Sequence, residues 1–408
     1  MYLSGGFNAE GANTLSKKVV SVALSILFGL NLLISLWVQS HVNQAFVSDI
    51  AIYLNAGQQA LLEENPYQPF HIGGSFVYPP TALLIFAPLS LFSMAKEIWA
   101  MINLISLMLV LSIMLRLITK HLRSPEMIWL TAGVLFYAPF LEQLTIGQVN
   151  AFVLLGIVVF MLGVSDPRYQ WIGDWGLATA IAIKISPVIL LAFPLIYMDW
   201  RRCMRIFVSL SILILISIMC FGSTPWTGFV TILPELFEGY PGTINQAITP
   251  SINWVTERFI ANADLSWLGN LFSVLVLLIW ISTLVLKRYQ QNPTAILAFG
   301  IVAMTVSSSL IWYHHLVFLL APIIFLTLSV DAGKRTGKTI LLLMLAGGVL
   351  INADRVIERV IGGPPVASIS GYCIIFLASG LSLYTSSLTP PAQHDAAAPG
   401  AIPWKLDG

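Results

Sequence analysis

The sequence predicts an all-α, polytopic integral membrane protein of about twelve transmembrane helices, ten full spans plus a broken or re-entrant pair. Three observations carry that expectation. Of 408 residues, 57% are hydrophobic and only 10% are charged, against roughly 25% charged in a soluble globular chain. Apolar runs long enough to cross a bilayer recur along nearly the whole length. The lysines and arginines can be threaded so that most of them share one side, as the positive-inside rule requires. The net charge of +1, with no basic patch interleaved with aromatics, argues against a nucleic-acid partner. Cys203, Cys220 and Cys373 are too scattered for a disulfide framework or a metal site.

The elements follow in chain order. Lys17 and Lys18 precede an apolar run longer than a signal-peptide core, with no clear cleavage site after it, so a retained first helix is expected at 19–38. Further spans are expected at 97–119, 126–141, 147–164, 205–222, 267–286, 294–312, 313–330, 338–352 and 366–385. Two segments are ambiguous. The first, 79–95, is short and proline-rich. The second, 175–198, "WGLATAIAIKISPVILLAFPLIYM", is broken by Lys184, Ser186 and Pro187. If 79–95 crosses and 175–198 crosses once, Arg116, Lys120 and Arg123 fall outside. If 79–95 lies at the surface and 175–198 enters and returns, those three join Lys17, Lys18, Arg168, Arg201, Arg202, Arg205, Lys287, Arg288, Lys334, Arg335 and Lys338 in the cytoplasm. Only Lys96, Lys184, Arg258, Arg355 and Arg359 are then left outside or buried. The second threading gives both termini in the cytoplasm, one transmembrane domain over 1–388, and a disordered Pro- and Ala-rich cytoplasmic tail over 389–408.

This topology puts the polar stretches on the extracytoplasmic face: the loop 40–78, "IGQVN" at 146–150, the Lys184 break, the loop 223–266 and "SSSLIWYHH" at 307–315. The acids Asp49, Glu63, Glu64, Glu142, Glu235, Glu238, Glu257 and Asp264 fall there too. An acidic, aromatic exterior with a few isolated cations suits a neutral polar substrate and an anionic leaving group.

Each residue singled out has a plainer reading beside the functional one. Asp49 shares a helix face with Tyr53 in "SDIAIYLNAGQQALL", a segment expected to lie on the membrane; it is either a first-turn acid favoured by the helix dipole or a general base. Lys184 is a cation at membrane depth, which costs about 3 kcal/mol or more and by default marks function; the alternative is snorkelling or pairing with an acid. Pro187 beside it frees backbone groups that protein must satisfy. His314 and His315 are either part of an aromatic belt or donors to a phosphate or sugar; adjacent helical side chains point about 100° apart, so one metal could rarely take both. The amides of "GQVN" at 147–150 and of the stretch from Asn245, Gln148, Asn150 and Gln246 among them, suit hydroxyl-rich ligands; the alternative is helix capping, which Asn150 or Asn245 could do. Arg258 either clamps a phosphate or pairs with Glu257 or Asp264. "GKRTGKT" at 333–339 is one residue short of a phosphate-binding loop and is read as cytoplasmic charge.

The runs "SDIAIYLNAGQQALLEENPY", "FVYPPTALLIFAPLSLF", "IGQVN", "AIKISPVILL", "NQAI…ER" and "WYHH" together resemble the family 87 glycosyltransferases, membrane enzymes of the GT-C superfamily. The resemblance covers roughly residues 20–330 in the same order. The best-known members are mycobacterial α-1,2-mannosyltransferases that use polyprenyl-phosphate mannose. It implies about a dozen helices, surface helices in the first outer loop, and Asp49 as catalytic base. "LLEENPY" has Glu-Glu where many members have glycine before Asn-Pro-Tyr.

The implied donor is a sugar, mannose by preference, on a polyprenyl phosphate; the acceptor is a lipid or glycan, and no cofactor or metal is called for. A glycosidase needs a second carboxyl to protonate its leaving group; a lipid phosphate leaves as an anion and needs cations instead. Lys184 and Arg258, with His314 or His315, are then expected to hold the phosphate. Tyr53, Asn65, Tyr67, Tyr78, Gln148, Asn150 and Gln246 are candidates for sugar or acceptor contacts. A transporter, which also uses broken helices and buried lysines, and a lipid-linked glycan ligase or polymerase are the competing readings.

Overall fold

The computed structural model describes residues 49–70, 74–118, 133, 137–238, 246–259, 265–287, 292–331, 334–361 and 364–385. The span 19–38, much of 126–141 and the tail 389–408 lie outside the described residues. Fifteen α-helices are described: α1 Asp49–Leu61, α2 Leu83–Leu89, α3 Ala95–Leu117, α4 Ala138–Ile146, α5 Asn150–Ser165, α6 Gln170–Ile183, α7 Ala192–Ile196, α8 Trp200–Phe221, α9 Thr224–Glu238, α10 Ile248–Phe259, α11 Ser266–Lys287, α12 Pro293–Val306, α13 Leu320–Ser329, α14 Arg335–Ile361 and α15 Val366–Tyr384. Among the described residues, five stretches are long and apolar enough to cross a membrane: Ala95–Leu117, Trp200–Phe221, Trp267–Lys287, Arg335–Glu358 and Val366–Tyr384. α8 leaves Met204, Phe207, Leu215 and Met219 exposed. A helix with apolar side chains facing outward suits lipid rather than water.

α5 and α6 form the pair that positions the site. They run antiparallel through close backbone contacts. A Cβ on Gly156 would stand 2.5 Å from the carbonyl oxygen of Gly176, and one on Gly163 would stand 2.9 Å from Gly173 Cα. Small residues at a helix crossing let backbones approach in this way. The antiparallel run puts Lys184, just past the C-terminus of α6, beside Asn150, the first residue of α5. At the other end of the pair Asp174 of α6 meets Arg202 and Arg205 of α8, and Asp166 meets Arg168 and Arg116. By helical rise the 16 residues of α5 separate these two polar ends by about 24 Å.

The Lys184 break is real. α6 stops at Ile183, a 3-10 turn spans Ser186–Leu191, and α7 resumes at Ala192. The Thr81 hydroxyl donates to the freed Ala182 carbonyl, so protein satisfies the broken backbone as the apolar surroundings demand.

Several boundaries differ from the sequence expectation. The 79–95 segment is too short a helix to cross, yet it does not lie open at the surface: Pro80, Thr81, Ala82, Leu83, Phe86 and Ala87 are buried. α1 covers it with Ile50, Tyr53, Ala56, Gly57 and Ala60, and any Cβ at Gly57 would meet the Phe86 carbonyl at 2.5 Å. α1 is therefore seated on protein along one face. The loop 223–266 contains two helices, α9 and α10. α12 ends at Val306 rather than 312, where Ser307, Ser308 and Ser309 follow and the chain becomes extended at Trp312. Such serines favour local side-chain hydrogen bonds over helix, and Ser308 Oγ donates to the Leu310 carbonyl. Residues 313–319 form a 3-10 turn rather than the start of a regular span. α14 runs to Ile361, past the expected end at 352. The polar residues that suggested an end all find partners there: Asn352 Oδ1 accepts from the Ala138 N–H, Asp354 Oδ1 from the Ser368 N–H, and Arg355 reaches Glu142. Residues 335–339 are the first turn of α14.

Candidate active site

The turn between α4 and α5 organises the site. α4 ends on Gly147, whose φ of 75° is left-handed, and its N–H bonds the Gln143 carbonyl. Glycine fits such a cap without the strain other residues incur. A Cβ there would also strike Ile50 Cβ at 2.6 Å, so the turn packs directly on the residue next to Asp49. Trp99 Nε1 donates to the Gly147 carbonyl at 2.8 Å.

Gln148 follows and points its amide at Asp49: Nε2 donates to Asp49 Oδ2. Its other end accepts from the Tyr78 hydroxyl at 2.7 Å. Tyr53 OH lies 3.2 Å from Tyr78 OH, and Tyr67 OH donates to the Tyr78 carbonyl at 2.7 Å. Two residues on, Asn150 Oδ1 accepts from Lys184 Nζ at 2.8 Å. The Lys184 ammonium also stands 5.6 Å from the Phe318 ring centroid, within cation–π range. Asn150 Nδ2 reaches the His314 carbonyl at 3.4 Å. His314 Nδ1 lies 3.5 Å from Glu142 Oε1, and Glu142 is held by Arg355 at 3.0 Å.

The carboxyl of Asp49 is raised above the usual aspartate range. Burial is the first cause; His314, the Gln148 amide and Lys184 pull the other way, while Glu142 adds to the rise. A carboxylate so placed is a stronger base than one in water.

The structure thus brings Asp49, Tyr53, Tyr78, Gln148, Asn150, Lys184 and His314 into one network. Other candidate residues have protein partners of their own. Tyr53, Tyr67 and Tyr78 are buried and their hydroxyls have protein partners, where the sequence reading gave them a sugar. Asn65 Oδ1 accepts from the Tyr67 N–H, a local turn bond. The two histidines divide: His315 Nδ1 accepts from the Trp312 N–H at 3.3 Å and so closes the 3-10 turn, whereas His314 faces the network. Their rings stand at 87° with centroids 4.7 Å apart. Gln246 is buried, its backbone N–H on Ile311 O and its own backbone carbonyl accepting from Tyr372. Arg258 lies in α10, but its side chain is outside the described residues. Among the described residues, no group of three or more His, Cys, Asp or Glu side chains could hold a metal ion.

Glu142 and Arg355 were missed as site residues. The sequence marks both as charges near the outer membrane boundary, but they stand 213 positions apart and nothing in it signals their pairing. A groove of about 600 Å³ adjoins Tyr67, lined also by Gln68, Pro69, Phe70, Gly228, Thr231, Ile232 and Glu235.

Comparison with known proteins adds a family match: residues 76–313 fit the profile described as Glycosyltransferase family 87. Two similar relatives are both named polyprenol-phosphate-mannose-dependent alpha-(1-2)-phosphatidylinositol mannoside mannosyltransferase. The one from Mycobacterium tuberculosis is 24% identical over 335 residues, 74% of this chain and 75% of its own length. The one from Mycolicibacterium smegmatis is 26% identical over 326 residues, 71% of each. An alpha-(1->3)-arabinofuranosyltransferase from Corynebacterium glutamicum is 31% identical over 132 residues, 31% of this chain and 30% of its own length.

Proposed function

We propose, from the premise that the chain belongs to glycosyltransferase family 87, that it moves a hexose, mannose by preference, from a polyprenyl-phosphate donor to a lipid or glycan acceptor on the extracytoplasmic face. The observation that carries this reading is the Gln148–Asn150 turn. Gln148 binds the acid Asp49, and Asn150, two residues on, binds the cation Lys184. One short segment therefore contacts both an acid and a cation, the pair this reaction calls for.

The chemistry is a single displacement. The acceptor hydroxyl attacks the anomeric carbon and passes its proton to Asp49. The bond from that carbon to the phosphate oxygen breaks, its electron pair leaves with the phosphate, and the configuration inverts. General-base assistance of this kind supplies about 10²–10⁴-fold. In this scheme Gln148 holds the Asp49 carboxylate through Oδ2 and Oδ1 takes the hydroxyl proton. Lys184 uses one of its three N–H groups on Asn150 and turns the rest, with His314, toward the charge growing on the phosphate. Arg258 is a third phosphate contact in this scheme and His315 a structural neighbour. Tyr53, Tyr67 and Tyr78 form the wall behind the base, and Gln246 and Asn65 shape the surrounding turns. The groove beside Tyr67 offers aromatic, amide, hydroxyl and carboxylate groups, a lining suited to a hydroxyl-rich acceptor. The mannoside acceptors in the relatives' names are of that kind.

The same reading takes residues 1–388 as one GT-C-like domain of about twelve spans in the cell membrane, with both termini and the 389–408 tail in the cytoplasm. The arabinofuranosyl relative favours a pentose donor as the second reading. Purified protein in vesicles, given polyprenyl-phosphate mannose and polyprenyl-phosphate arabinofuranose in parallel, separates them. Release of polyprenyl phosphate with sugar transfer from the mannose donor is expected. Preference for the arabinose donor selects the second reading. Movement of solute across sealed vesicles with no donor consumed would replace both with a transporter.

A further inference from the structure

We infer that Glu142, clamped by Arg355, is the positioning residue of His314: it turns the imidazole so that Nδ1 faces the carboxylate and Nε2 faces the substrate. The inference rests on the reading of the site as a centre where a phosphate leaves, and it assigns work to two residues that reading does not use.

Three distant segments meet here. Glu142 comes from α4, His314 from the 3-10 turn after α12, and Arg355 from α14. Arg355 holds both oxygens of Glu142, Nη2 at 3.1 and 3.0 Å and Nε at 3.2 Å. Its Nη1 bonds Glu358 at 3.0 Å, and its guanidinium lies 4.7 Å over the Tyr313 ring. Tyr313 OH is in turn tied to the Ile351 carbonyl at 2.9 Å. A planar guanidinium gripped at several points is a rigid support in a way that a lysine is not. Glu142 Oε1 then presents itself to His314 Nδ1 at 3.5 Å.

His314 is 7% exposed, and its Nε2 is buried with no hydrogen-bond partner among the described residues. A buried polar atom without a partner costs about 1–3 kcal/mol, and a ligand that bound beside Asp49 could complete this one. The ring cannot present either nitrogen at will. An imidazole nitrogen facing a carboxylate carries the hydrogen, and the hydrogen bond at one nitrogen decides what the other offers. With Nδ1 facing Glu142, Nε2 is the atom available to the phosphate.

The clamp also separates the roles of the two carboxylates. Among the described residues Asp49 Oδ2 accepts from the Gln148 amide, and no guanidinium clamps it. Glu142 is occupied by a guanidinium and does not compete as a second base. The plainer account is that Glu142 and Arg355 merely bolt α4 to α14, since breaking any buried ion pair destabilises a fold.

A double-mutant cycle on kcat distinguishes the two accounts, using Glu142→Gln and His314→Gln singly and together with a polyprenyl-phosphate sugar donor. Carboxylates behind metal-ligating histidines contribute about 10–100-fold, and the same scale is taken for this imidazole. Glu142→Gln is expected to lower kcat by about that much with donor KM nearly unchanged, and to have little further effect when His314 is already Gln. Equal losses in both backgrounds, or an unchanged kcat, would overturn the assignment. If Glu142→Gln fails to fold, Arg355→Lys, which keeps the charge but not the two-oxygen grip, enters the same cycle with the same expectation. A readout independent of activity keeps the inference separate from the proposed transfer reaction. In ¹⁵N-histidine spectra of the whole protein, the signal lost in His314→Gln should show Nδ1 protonated. A neutral ring with its hydrogen on Nε2 would refute the positioning role, whatever the protein transfers.

Discussion

Asp49→Asn is expected to lower the turnover number for sugar transfer by about 10²–10⁴-fold, the range that a positioned general base supplies, with donor affinity held within a few fold. The substitution is nearly isosteric. The new amide oxygen can still accept from Gln148 Nε2, so the contact that seats Asp49 survives. Ile50, Tyr53, Ala56 and Ala60 continue to pack α1 over the Phe86 segment. What is lost is the ability to accept a proton. A merely structural Asp49, serving the N-terminus of α1, would give up only about 0.3–1 kcal/mol of stability and leave transfer intact. Initial rates at saturating donor, with donor KM and thermal midpoint measured alongside, decide between the two.

Lys184→Met is expected to cost about 10²–10³-fold in kcat, or roughly 3–4 kcal/mol, the loss seen when one preorganised charge-stabilising group is removed. The methionine fills the lysine stem's space but brings no charge. Asn150 loses one hydrogen-bond partner, worth about 1 kcal/mol, yet a half-buried cation disappears with it, which lowers the cost of folding. Stability should therefore stay close to wild type while activity collapses. Full activity in a well-folded Lys184→Met protein would remove this lysine from the phosphate site.

Much of this site is legible in the sequence because single residues break a strong local rule. Lys184 interrupts an apolar run, Asp49 follows the first expected span, and the amides of "GQVN" sit between two apolar helices. Charge placement alone then sorts these features to one face. Pairing is not legible. The contact of Gln148 with Asp49 spans 99 residues and that of Arg355 with Glu142 spans 213, and no periodicity encodes a tertiary approach of that kind. The same limit explains the end of α14. Asn352, Asp354 and Arg355 look like a helix end until their partners on α4 and α15 are known. The tyrosines show a further version of it. Tyr53, Tyr67 and Tyr78 carry the right chemistry for a sugar, and only their burial reveals that their hydroxyls serve one another and Gln148.

The central claim, that Asp49 accepts the proton of the attacking hydroxyl, is tested most directly by the pH profile of kcat/KM for wild type and Asp49→Asn together. The base works as its anion, and burial raises the Asp49 carboxyl above the ordinary aspartate value of about 3.9. Wild-type activity should therefore fall as pH drops through a midpoint above that value. The residual activity of Asp49→Asn should lack that acid limb. An Asp49→Asn enzyme that keeps the same acid limb, or the wild-type rate, would contradict the account.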